Sequence, residues 1–292
     1  MTAAAIHAAA AAPSRQGWRA FLWVAGLTAS WMALTYWQPA IQASGVPLTA
    51  MRLFIYALIA LGLWLGLERT ELSPTQRRNV WLAVMIPYTL WMALIWSAAI
   101  DGLFRLGASP LRVPLVPLAI FLPILIGAPI LLRSRRIGEV LDAMPPQWLI
   151  ALQVFRVFGS IFLIGWALNV APGIFALPAG IGDVITGLLA LPVAISLAAG
   201  GSDGPRAALA WNIFGLLDFS VAVTIGLITS PGPLQLIVPS IPNAATGLYP
   251  TVLIPAFTVP SSTLLHALSL RQLYRRARRA ETAGRIGTAA LA

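Results

Sequence analysis

Apolar runs of about twenty residues, separated by short polar or charged stretches, recur eight times along the chain. They fall at 18–38, 47–67, 79–99, 113–132, 147–169, 175–198, 207–229 and 249–272. About 20 consecutive apolar residues span the hydrocarbon core of a bilayer. The pattern predicts an all-α fold: a polytopic transmembrane helical bundle of about eight spans. Prolines punctuate two of the runs, Pro114, Pro117, Pro123 and Pro129 in the fourth and Pro250, Pro255 and Pro260 in the eighth. Proline is tolerated in membrane helices where neighbours satisfy the freed carbonyls, so each of these runs reads either as a proline-bearing helix or as a split one.

Composition agrees with the pattern. Of 292 residues, 59% are hydrophobic and 10% charged, with a mean hydropathy of +0.83. A soluble domain carries about 25% charged residues, so most of this surface is expected to face lipid. All nineteen basic residues are arginine, and there is no cysteine. Without lysine or cysteine there is no Schiff base, phosphate-loop lysine, thiolate nucleophile, disulfide or Cys-ligated metal within the chain. With His7 and His266 as the two histidines, bis-histidine haem between spans is not expected. No cofactor is predicted.

Arginine sets the expected orientation, because cytoplasmic loops retain positive charge. With both termini cytoplasmic, fifteen of the nineteen arginines fall on the inner side, from Arg15 to the tail beginning at Arg271. Arg105 and Arg112 fall outside, with Arg52 one turn inside the second span, and Arg156 remains in the fifth. Tryptophans at predicted inner ends (Trp18, Trp64, Trp81, Trp148, Trp211) and outer ends (Trp37, Trp96, Trp166) fit interfacial anchors.

Residues 1–17 are a low-complexity tail, expected to be disordered; 18–272 form one bundle; 273–292 are a basic cytoplasmic tail facing lipid headgroups rather than nucleic acid. The proline-rich fourth and eighth runs, each ending in arginines, allow a duplication into 18–136 and 147–279, although the other spans align poorly. In "RSRRIGEVLDAMPPQ", Ile137, Val140, Leu141 and Met144 at helical spacing predict a short interfacial helix. The uncharged stretch 230–250 reads as an outer connector in preference to a re-entrant plug, with Asn243 as its residue of interest.

Candidate chemistry lies in the last four spans. Gln153, Arg156 and Ser160 share one face of the fifth, with Arg156 near the midplane. In "FALPAGIGDVITG", Pro178 is read as a first helical residue, placing Asp183 within two turns of a helix start, where the dipole favours a carboxylate. Gly180, Thr186 and Gly187 share its face and allow close helix approach. Asp218 lies mid-span in the seventh run with Asn212 before it; Thr258, Ser262, His266 and Ser269 form a stripe in the eighth.

Each charge at the bilayer centre costs about 2.5–3.5 kcal/mol, roughly 8–10 for three unpaired ones. Arg156 is therefore expected to pair internally with Asp183 or Asp218. One arginine against two acids leaves a net −1, for which His266 is the nearest correction, and an odd carboxylate would be free to exchange a proton. The spacing of Asp183, Asp218 and His266 lends no specific support to a metal site.

Three functions stay open. One is a carrier or channel for a small solute, proton-linked through Arg156, Asp183, Asp218, His266, Gln153 and Asn212. The second is a membrane-embedded enzyme with paired aspartates acting on a lipid-borne substrate, and the third a non-catalytic membrane scaffold in which the ion pair is structural. The carrier reading leads, and an enzyme is the less favoured of the first two. The expected partners are the lipid bilayer and a small solute, with no nucleic acid, and no feature sets an oligomeric state.

The segments "QVFRVFGSIFL", "PGIFALPAGIGDVITGLLALPVA" and "WNIFGLLDF" resemble a group of uncharacterised bacterial multispanning membrane proteins. The resemblance covers about residues 147–220. It implies a bacterial inner-membrane protein and assigns no activity.

Overall fold

The computed structural model describes residues 15–40, 45–105 and 114–289, the last seven as backbone. All but the last three residues of the tail expected at 1–17 lie outside the described residues, and 15–17 already belong to the first helix. The helices are α1 (Arg15–Trp37), α2 (Val46–Glu68), α3 (Pro74–Ile100), α4 (Leu115–Arg133), α5 (Arg135–Ala143) and α6 (Gln147–Ala151). The sixth continues through a 3₁₀ stretch, Leu152–Gly159, into α7 (Ser160–Ala167). Next come α8 (Gly173–Ala198) and α9 (Asp203–Thr229), and a π-helical turn, Ile254–Thr258, leads into α10 (Val259–Ala289). No strand occurs among the described residues.

Each of the eight apolar runs lands on helix. Six helical stretches are long and apolar enough to cross a membrane: α2, α3, α4, Gln147–Ala167, α8 and α9. Polar Thr, Ser and Tyr dilute α1, and α10 runs on unbroken into the arginine tail. Lipid is the environment that the outward faces call for. Trp23, Leu27, Leu90 and Leu125 are all more than 60% exposed, and apolar surface on this scale needs an apolar surrounding.

Local chemistry fixes the helix ends. Ser73 and Gln76 form a reciprocal capping box at the start of α3, Ser73 Oγ accepting from the Gln76 amide at 3.3 Å and Gln76 Oε1 accepting from the Ser73 amide at 3.1 Å. Pro74 fills the next position, where no N–H is required. Ser134 caps α5 in the same way, at 3.3 Å from the Ile137 amide.

α8 runs through the middle, packed against α9, α1 and the span formed by α6, the 3₁₀ stretch and α7. Its glycines make that possible. A Cβ at Gly180 would lie 2.6 Å from Leu163, and one at Gly187 would meet the backbone nitrogen of Val157. The small-residue face read from the sequence is thus the seam between the fifth and sixth spans.

α10 packs along α4, where Leu264 lies against Gly127. At its basic end it clamps a corner. Arg271 donates to the carbonyls of Leu131 (2.8 Å) and Ser134 (2.9 Å), Gln272 to those of Leu141 (2.5 Å) and Met144 (2.7 Å), and Arg276 to Met144 (3.0 Å). Those of Leu131, Leu141 and Met144 are orphans at the ends of α4 and α5, while that of Ser134 also accepts the Gly138 amide. Arg275 engages Asp142 through two nitrogens, and Arg279 adds a third contact at 2.5 Å. The short helix expected at Ile137–Met144 is present, its apolar face buried against protein, with Val140 and Met144 over Gly66 of α2. The basic tail is therefore helical as far as Ala289, and several of its arginines are spent on this corner rather than left for headgroups.

Arg275, with Arg279 beside it, holds the Asp142 carboxyl below the ordinary carboxylate range. A carboxyl depressed on folding stabilises the protein above its unfolded pKa and loses that stability as pH falls through the folded pKa. Asp142→Asn is expected to lower stability by about 1 kcal/mol at neutral pH. The deficit relative to the parent should vanish on acidification, as followed by thermal unfolding in detergent from pH 7 down to pH 3.

Candidate functional site

Where the fifth span meets the centre of the bundle, its backbone tightens into 3₁₀ geometry for eight residues, Leu152–Gly159. Such runs seldom exceed three or four residues. At three residues per turn, Gln153, Arg156 and Gly159 line up on one side, and all three are buried. The stripe of Gln153, Arg156 and Ser160 read from the sequence faces inward as expected, with Gln153 and Ser160 fully buried.

Arg156 is the hub. Its Nε donates to Asp183 Oδ1 at 2.7 Å, and one terminal nitrogen lies 2.6 Å from the same oxygen while also engaging Asp218 Oδ2. The other terminal nitrogen donates to the Gly215 carbonyl at 3.2 Å and lies 3.3 Å from His266 Nε2. The guanidinium plane rests 3.7 Å from the centre of the Phe219 ring.

The hydrogen-bond directions follow from donor chemistry. A guanidinium has no acceptor, so His266 Nε2 accepts and the ring proton sits on Nδ1. That proton is donated to Asn212 Oδ1 at 3.0 Å. The Asn212 amide in turn donates to the Ala208 carbonyl (2.8 Å) and to Ser269 Oγ (3.0 Å). Ser262, one turn before His266, bonds Gln153. Arg156, Asp183, Asp218, His266 and Asn212 thus belong to one network across the fifth to eighth spans, while Gln153 pairs separately with Ser262 of α10.

Four of the buried ionisable groups sit over glycines of neighbouring helices. Asp183 covers Gly159, Asp218 covers Gly182, and His266 with Arg156 covers Gly215. Polar side chains enter the interior here because the opposing helix has no side chain at that point.

Four expectations need correction. α8 begins at Gly173 and carries Pro178 inside it, so Asp183 lies ten residues in, about 15 Å from the helix start. The helix dipole does not hold it there; Arg156 does. His266 accepts from Arg156, so it is uncharged and does not balance the second aspartate. The balance comes from Arg52 of α2, which is 2% exposed, acts electrostatically on Asp183 and lines the same cavity. Two arginines face two aspartates. The clue in the sequence was a single arginine inside "VPLTAMRLFIYALIA", read there as an end-of-span charge. Trp211, expected at an interface, is buried, donating to the Thr186 carbonyl at 2.9 Å and packing on His266.

The cavity beside Asp183 has a volume of about 30 Å³ and is bounded by Arg52, Arg156, Asp183, Gly159, Thr258 and a set of apolar side chains. One wall is the 3₁₀ stretch and another the π turn at Ile254–Thr258. Of the prolines read as possible breaks in the eighth span, Pro255 lies within that turn and Pro260 just after it. The segment 230–250 contributes none of the lining residues. Its Asn243 is instead buried at the end of α9, donating to Thr229 Oγ1 at 3.0 Å. Among the described residues no group of three or more His, Asp or Glu is placed to hold a metal ion.

Fold and site define an all-helical protein, with six stretches fit to cross a membrane, built around a buried arginine–aspartate cluster. Residues 113–274, just over half of the chain, match the family described as Domain of unknown function (DUF8737), and the chain belongs to that family. No curated protein and no solved structure matches it. The matched region holds Arg156, Asp183, Asp218 and His266; Arg52 lies before it.

Proposed function

We propose that this is a multi-pass protein of a bacterial inner membrane, with eight spans and both termini cytoplasmic, that carries a small solute coupled to protons at the Arg156–Asp183–Asp218 cluster. The observation that supports it is the cavity at the cluster, walled by two departures from α geometry in facing spans. Irregular backbone at membrane depth is tolerated where it is buried in protein or lines a cavity, and interrupted helices flank substrate sites in many carriers. Intramembrane ionisable residues mark ion and substrate pathways by default.

Within the cluster, Asp183 is the better proton carrier. Its side chain keeps 14% exposure, against 5% for Asp218 and 1% for Arg156, and it lines the cavity while Asp218 does not. A pair of aspartates working as acid and base on a lipid-borne substrate would need both on the cavity, so the enzyme reading fits less well. The scaffold reading has one observation in its favour, the equal count of arginines and aspartates, and it predicts that exchanging Arg156 and Asp218 restores full function.

The test is proton flux in proteoliposomes under an imposed pH gradient, read by an internal pH dye across a panel of small solutes. The parent is expected to exceed empty vesicles, and Asp183→Asn to insert and fold but fall to their level. Equal flux in parent and variant, or no flux above empty vesicles, would overturn the proposal.

A further inference from the structure

We infer that the cavity beside Asp183 binds a single monatomic anion of halide size, taken up together with a proton on Asp183. This rests on the cavity being the solute site of the carrier, and it names the class of solute.

The walls supply donors that lack acceptors. Arg52 Nε and Thr258 Oγ1 are both buried, both belong to cavity-lining residues, and neither has a hydrogen-bond partner among the described residues. A guanidinium only donates, so whatever meets Arg52 must accept. Leaving a buried charged donor unmet costs more than leaving a neutral one, which makes an empty site an unfavourable resting state.

Size and polarity narrow the guest. A volume of about 30 Å³ is two to three times the roughly 10–15 Å³ that a single water needs. It suits one small guest and not a sugar. The remaining walls include Met51, Ile55, Phe155, Phe158, Phe219 and Val259. Such walls suit a large, weakly hydrated ion better than a group that needs many hydrogen bonds.

Charge decides when the guest can enter. With both carboxylates ionised, Arg52 and Arg156 balance Asp183 and Asp218, and His266 across Arg156 is neutral; the sum is zero. An anion would then sit uncompensated beside Asp183. If Asp183 takes a proton, the cluster carries +1 and the anion restores neutrality. The geometry permits this, because Arg156 engages Asp183 through Oδ1, whereas Oδ2 lies over the cavity-lining Gly159. A proton on Oδ2 gives the anion a third donor, beside Arg52 and Thr258. The groups facing Asp183 are Arg156 on the 3₁₀ stretch, Asp218 on α9 and Arg52 on α2, and none needs to change its protonation for this to occur. One proton and one anion then move together, with no net charge entering the low-dielectric centre.

The experiment uses bromide and the purified full chain in detergent. Affinity would be measured from the bromide dependence of thermal unfolding, at constant ionic strength with gluconate as replacement anion. Uptake of one proton per anion requires affinity to fall about tenfold for each pH unit above the titration of Asp183. Asp183→Asn, whose amide supplies a permanent donor, is expected to bind bromide with no pH dependence. Arg52→Gln and Thr258→Val are expected to weaken binding tenfold or more. Anomalous diffraction from bromide-soaked crystals of the parent at low pH, which depends on no variant, should place one peak between Arg52 and Asp183. No bromide effect at any pH, a pH-independent effect in the parent, or a water in place of the anomalous peak would overturn the inference. Proton flux that persists in chloride-free gluconate would remove the anion while leaving the proton-linked carrier intact. Bromide bound in the cavity with no proton flux would leave the site and remove the carrier.

Discussion

Arg156→Met is expected to destabilise the protein by about 3–5 kcal/mol, the cost of removing one partner from a buried ion pair. It leaves Asp183 and Asp218 facing each other in the middle of the bundle with only the distant charge of Arg52, and it strips the Gly215 carbonyl and His266 Nε2 of their donor. The diagnostic part is the rescue. Adding Asp183→Leu and Asp218→Leu to the same chain removes the stranded carboxylates and leaves Arg52 as the one buried charge, and buried ion pairs replaced by apolar side chains of similar volume are often neutral in stability. Thermal unfolding in detergent, followed by tryptophan fluorescence, should therefore show a large drop for the single variant and recovery of part of it in the triple. A triple variant less stable than the single one would mean that the carboxylates hold the helices together independently of Arg156.

Gly215→Ala carries the second-largest expected effect. A Cβ there would lie 2.5 Å from both Cε1 and Nε2 of His266 and 3.1 Å from a terminal nitrogen of Arg156. Neither ring nor guanidinium can retreat without breaking the bonds to Asn212 and the aspartates. Overpacking of this kind costs typically about 1–3 kcal/mol. The control is Gly62→Ala in α2, where nothing lies within 4 Å of the added carbon. In a helical position with room for the added carbon, alanine is favoured over glycine by roughly 0.5–1 kcal/mol, so the two alanines should shift the unfolding temperature in opposite directions.

The contrast between these two glycines shows what a sequence does and does not disclose. Apolar run length alone located the six helical stretches long and apolar enough to cross a membrane among the described residues, because burying a backbone in lipid leaves few alternatives to helix. The polar residues at depth, from Gln153 to His266, were legible for the same reason: their cost in hydrocarbon demands partners, and the partners had to be one another. Arg52 was missed because six residues from the start of an apolar run is where a snorkelling arginine also sits, and only packing tells the two apart. Asp183 was found but explained by the wrong cause, since Pro178 reads as a helix start and is in fact interior to α8. The 3₁₀ stretch has no sequence signal of its own; it lies where Gly187 lets the fifth and sixth spans approach closely.

α10 passes from His266 to Arg279 without a break, a distance of about 20 Å along the axis. Helical phase therefore ties the centre of the bundle to the corner at Asp142: with His266 turned toward Arg156, the azimuths of Arg271, Arg275 and Arg279 are already fixed. A single inserted residue between them would swing the lower half by about 100° and carry its guanidinium groups off the carbonyls they cover. Seven residues, two nearly whole turns, would restore the azimuth but push the guanidinium groups about 10 Å along the axis, past the carbonyls they cover.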